Sequence, residues 1–118
     1  MATYSKELLS GSTQGKGILV SGNDTAGAVE IHTAVAGTTD LDEIWLYAVN
    51  THSADIKLTL EWGEATEPNG NIEITVPAEE GLMLLVPGLL LQNGLVVEAF
   101  AGTASEIVIH GYVNKIDK

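Results

Sequence analysis

From residue 54 onward, apolar and polar residues alternate almost without interruption. Ile56, Leu58, Leu60 and Trp62 fall on one side of that alternation, and Asp55, Lys57, Thr59 and Glu61 on the other. A period of two residues is that of a half-buried β-strand. The same period predicts strands over 28–35, with Val29, Ile31, Thr33 and Val35 on one face, and over 71–76, with Ile72, Ile74 and Val76 inward. It returns over 106–115, where Ile107, Ile109, Gly111 and Val113 oppose Val108, His110, Tyr112 and Asn114. A shorter strand is expected over 16–21, around Ile18, Leu19 and Val20. Residues 43–51 differ. There Ile44, Leu46 and Ala48 oppose Trp45, Tyr47 and Val49, so both faces are apolar and both need cover, from another layer of the chain or from a neighbouring subunit.

Turn chemistry separates these segments at 22–27, 36–40, 52–53 and 63–70. Pro87-Gly88 is expected to end a short apolar strand over 82–86. Asn93-Gly94 suits a two-residue primed turn and predicts a hairpin between 89–92 and 95–101. Eight or nine short strands with no helix-period segment imply an all-β, single-domain antiparallel β-sandwich or jelly roll, since no crossover helices exist for a parallel sheet. Residues 1–14 are polar apart from Leu8 and Leu9. They read as a short extended N-terminal arm, with room for one helical turn over 5–9, ahead of a sandwich domain over 15–118.

Composition narrows the function. Sixteen acidic against five basic residues give a net charge of −11, and arginine is absent. Such a chain repels phosphate backbones and anionic lipid, so neither nucleic acid nor a membrane is an expected partner. The start of the chain lacks the basic flank and long apolar run of a secretion signal. Without cysteine there is no disulfide, thiolate nucleophile or zinc–sulfur site.

No catalytic, cofactor or metal set emerges from the remaining polar residues. His32, His52 and His110 are scattered and read as surface or interface residues. Asp40-Leu41-Asp42-Glu43 has carboxylates for a hard cation but reads better as a solvated turn, as does Glu79-Glu80. Glu61, Glu73 and Glu98 lie on strands, yet no motif selects two of them as an acid/base pair. No Gly-x-Ser-x-Gly elbow is present, and Gly11, Gly15 and Gly17 lack the strand-to-helix context of a phosphate loop. The Asn23-Asp24-Thr25 triplet has no secretory context. Trp45, Tyr47, Trp62 and Tyr112 could stack on sugar rings, but large aromatics more often serve core or interface packing.

The stretch from Ile31 to Asn50, through Gly37-Thr38-Thr39-Asp40-Leu41-Asp42-Glu43, resembles small virion structural proteins of tailed bacteriophages. So do the run from Asn71 to Ala78, the run from Leu82 to Gly88, and Asn93-Gly94-Leu95-Val96-Val97. The resemblance is greatest to the capsid decoration, or cement, proteins of marine and freshwater phages. It implies a jelly-roll-like sandwich, non-enzymatic and without cofactors, made in the host cytoplasm and carried on the virion. There it would sit as a homotrimer on the outer surface of the head and hold neighbouring major capsid protein subunits together. The expected subunit interface is Trp45, Tyr47, Val49, Val108 and Tyr112, and the expected coat-protein contact is Leu8 and Leu9. A neck, tail or head-fibre component, or a carbohydrate-binding module, would use the same kind of fold.

Overall fold

The computed structural model describes residues 2–118. Alternation is converted into layers most plainly in β4 (Leu41–Asn50), where buried and half-buried residues follow one another without a break. Its even positions, among them Ile44, Leu46 and Ala48, enter the core, and its odd positions face away. The other strands are β1 (Thr3–Leu8), β2 (Ile18–Val20), β3 (Val29–Thr33), β5 (Ile56–Trp62), β6 (Asn71–Val76), β7 (Met83–Leu91), β8 (Val96–Ala101) and β9 (Ile107–Asp117). Every pairing is antiparallel.

Two sheets form. One has the order β2-β9-β4-β7, with β1 lying beside the C-terminal half of β9; the other has the order β3-β8-β5-β6. That pair of orders is the double Greek key of a jelly roll. Among the described residues only β5 and β6 are sequence neighbours that pair with each other. From β2 onward, each remaining connection carries the chain from one sheet to the other. Ile18, Ile107 and Ile109 of the first sheet and Ile31, Leu58, Leu60 and Val97 of the second meet between the layers, with Leu9 added from the loop after β1. Burying each such aliphatic side chain contributes about 1.5–3 kcal/mol, which is why the inward positions hold the register.

Four expectations change. β7 runs through Pro87-Gly88 instead of ending there. It lies at a sheet edge, where the missing proline N–H is tolerated, and its register against β4 shifts at two places to absorb the irregularity. Asn93 and Gly94 do adopt the positive φ of a primed turn (64° and 68°), but the turn passes from β7 in one sheet to β8 in the other, so no hairpin forms. The N-terminal segment is extended as expected, yet it contains no helical turn: Thr3–Leu8 is a strand hydrogen-bonded along β9. Its six side chains are all exposed, so the apolar stripe that reveals other strands is missing. Finally, His32 is not a surface residue. A bulge between Glu30 and His32 turns Ile31 and His32 inward together.

Candidate functional site

The outward positions of the β2-β9-β4-β7 sheet carry an apolar and aromatic face. Register places Trp45 opposite Tyr112, Tyr47 opposite His110 and Val49 opposite Val108. All five residues expected at an interface therefore share one patch. Leu8 extends it across from Tyr112, Leu19 across from Val108, and Leu84 and Pro87 across from Tyr47 and Trp45. Leu8, Leu19 and Leu84 are about half exposed, at 56%, 48% and 46%. Leu9 points the other way and is sealed in the core at 2% exposure, so of the expected coat-contact pair only Leu8 remains on the surface.

The patch is held in shape by its own contacts. The rings of Trp45 and Tyr112 lie parallel to within 7°, with centroids 6.0 Å apart. Lys6 Nζ sits 4.9 Å from the Tyr112 ring centroid, a cation–π contact that ties β1 to the same cluster. Glu43 Oε1 accepts from Trp45 Nε1 at 2.8 Å and from Asn114 Nδ2 at 2.9 Å. Those two donors, Asn114 first and Trp45 second, hold the Glu43 carboxyl below the usual carboxylate range. Gly88 leaves the space against which the indole rests: a Cβ there would stand 3.1 Å from Trp45 Cζ2.

The opposite face is of another kind. Outward on the β3-β8-β5-β6 sheet are Glu30, Glu98, Glu61, Glu73, Lys57 and Thr75, with Phe100 among them. Glu30, Glu98 and Glu61 occupy directly opposed positions across three strands. Lys57 meets Glu73 at 3.2 Å. Trp62 continues the inward stripe of β5 and packs against the core rather than joining a platform.

Sequence reasoning missed a buried polar clip. The Ser10 backbone N–H donates to His32 Nδ1 at 3.0 Å, which places the imidazole proton on Nε2, where it donates to Asp42 Oδ2 at 2.7 Å. Asp42 Oδ2 also accepts from Val35 N at 3.1 Å. The set contains serine, histidine and aspartate, but the Ser10 hydroxyl donates to Glu30 Oε2 and accepts from Thr33 N instead of meeting the imidazole. It is wired to fasten the segment after β1 onto β3 and β4, not to activate a nucleophile. A recess of 250 Å³ opens beside it, between Glu7, Leu8 and Lys115. No signal in the sequence marks this clip, because it depends on the β3 bulge.

His52 lies 3.8 Å from Glu106 at the surface, and the carboxylates of Asp40 and Asp42 diverge: Asp40 Oδ1 accepts from the Lys118 backbone while Asp42 turns inward. Among the described residues no three histidine or acidic side chains converge as a metal set, and no helix is long and apolar enough to cross a membrane. No protein-family model, curated protein or solved structure matches the chain.

Proposed function

We propose that the protein is a non-enzymatic virion structural protein, a decoration or cement protein that binds the outside of a phage head as a homotrimer and braces contacts between coat subunits. The observation that carries this reading is the division of the sandwich into two unlike faces. One gathers Trp45, Tyr47, Val49, Val108 and Tyr112 with half-exposed leucines, and the other is acidic. Contiguous exposed apolar surface on a soluble fold marks a docking face. The acidic face suits the solvent side of such a complex and repels other copies. Leu8 on β1 extends the apolar patch toward the sheet edge, where a coat subunit would meet it.

Light scattering after size-exclusion chromatography tests the assembly: the 12.4 kDa chain should elute at three times its mass. Tyr47→Glu should return it to a monomer with an unchanged far-UV spectrum. Co-sedimentation with heads lacking the protein tests the location. A wild-type monomer at high concentration that also fails to sediment with heads overturns the reading.

The parallel Trp45–Tyr112 pair, flanked by Glu43 and Asn114, favours one second reading, a carbohydrate-binding module. Titration with soluble polysaccharides separates the two, since a platform changes Trp45 fluorescence on binding and a subunit interface does not.

A further inference from the structure

The polar clip behind the N-terminal strand has room for one imidazole proton and no more. His32 is only 5% exposed, and both of its ring nitrogens are committed. Nε2 meets the Asp42 carboxylate at 2.7 Å, and Nδ1 faces the backbone N–H of Ser10 at 3.0 Å. A backbone N–H can only donate, so Nδ1 keeps that contact only while it carries no proton. A second proton on the ring would set N–H against N–H, and Ser10 would have to withdraw.

The surrounding charges do not bar that proton. Around the ring stand Asp42 of β4, Glu30 of β3 beside Ser10, and Glu7 of β1 and Lys115 of β9 across the recess. Three of the four are acidic, and Asp42 already touches Nε2, so an imidazolium would have its counter-ion in place. The obstacle is the Ser10 N–H. What Ser10 anchors is otherwise lightly held. All six side chains of β1 are exposed, and beyond its pairing with β9 the strand has the Lys6–Tyr112 contact. Its inner end is fixed by Leu9 in the core, by Ser10 on His32 and Glu30, and by Gly11 N donating to Ile31 O at 3.0 Å.

We propose that His32 is an acid-operated latch: a second proton on its imidazole displaces Ser10, and β1 then peels from β9 while the rest of the sandwich stays folded. The released form binds one proton more than the latched form, so a fall in pH favours release. One proton limits the gain in the opening equilibrium to about tenfold per pH unit. Segments that open locally are those with few buried contacts, which describes β1. Peeling carries Leu8 away from the Trp45–Tyr112 face and bares the edge of β9 over 112–117, where its backbone groups become free to pair with another strand. The latch needs only a single chain and is independent of the virion reading.

The test is backbone hydrogen exchange of the full chain between about pH 7.5 and 5.5, a range that titrates imidazoles and spares ordinary carboxylates. Rates are corrected for the intrinsic pH dependence of exchange. Protection over β1 should fall by about tenfold or more across that range, while β4 and β5 keep theirs. His32→Gln retains a donor toward Asp42 in a side chain that does not titrate, and its β1 protection should not change with pH. The double variant His52→Gln/His110→Gln, which leaves His32 as the one histidine, should respond as wild type does. Nitrogen-15 spectra of the imidazole give a readout that needs no variant: Nδ1 should gain its proton as β1 protection is lost. Protection that does not vary with pH in wild type, or that falls equally in His32→Gln, overturns the proposal. So does an Nδ1 that is protonated while β1 stays protected.

Discussion

Glu43 shows how one half-buried carboxylate can organise a surface. Its Oε1 receives both the indole N–H of Trp45 and the amide of Asn114, and these bonds favour the charged form. A carboxyl held below its ordinary value of 4.5 contributes stability that is present above that value. The contribution is lost as pH falls through the lowered one. Glu43→Gln should therefore lower Tm slightly near neutral pH, and its difference from wild type should shrink as pH drops from about 5 toward 3. Solvent screening keeps the effect small. His32 is the opposite case, a polar residue whose work is done in the interior. His32→Leu leaves the Asp42 carboxylate buried with Val35 N as its remaining donor and removes the acceptor for Ser10 N. A loss of about 2–4 kcal/mol is expected in urea unfolding, together with faster hydrogen exchange over β1.

Where β9 pairs with β4, Gly111 leaves no room for a side chain. A Cβ at that position would run into the Trp45 carbonyl oxygen and crowd the Leu46 Cα. Gly111→Ala must therefore push apart the two central strands of the sheet. Destabilisation of about 3 kcal/mol or more by urea unfolding is expected, with Trp45 fluorescence altered as well. The sequence exposes Gly111 as one more inward position of the alternation, and nothing in the pattern reveals that a backbone occupies the space of its missing side chain. The same division holds for other elements. β4, β5, β6 and β9 were legible because each pairs an apolar stripe with a recognisable turn. β1 was not, since all six of its side chains are exposed and no buried apolar stripe marks it. β7 was cut too short because proline at an edge weakens a strand without ending it. The apolar face could be read from Trp45, Tyr47 and Val49, whose alternation survives intact. The His32 clip could not, because it depends on the bulge in β3.

Taken whole, the sandwich has a Cα radius of gyration of 13.9 Å, close to the ~13.5 Å of a compact domain this size. Its long extent is 48 Å, against 28 and 21 Å for the other two axes. Because most connections cross between sheets, nearly all pairing is remote in sequence, a topology that folds on the millisecond-to-second scale. β1 and β9 place Thr3 opposite Asp117. Antiparallel partners have Cα atoms about 4.5–5.5 Å apart, so the outer ends of β1 and β9 lie at one corner and a short glycine linker between them could splice the chain. Reopening the circle between Glu64 and Asn69, in the surface loop joining β5 to β6, should give a permuted protein with a native far-UV spectrum. A cargo peptide fused at either terminus would project from that shared corner.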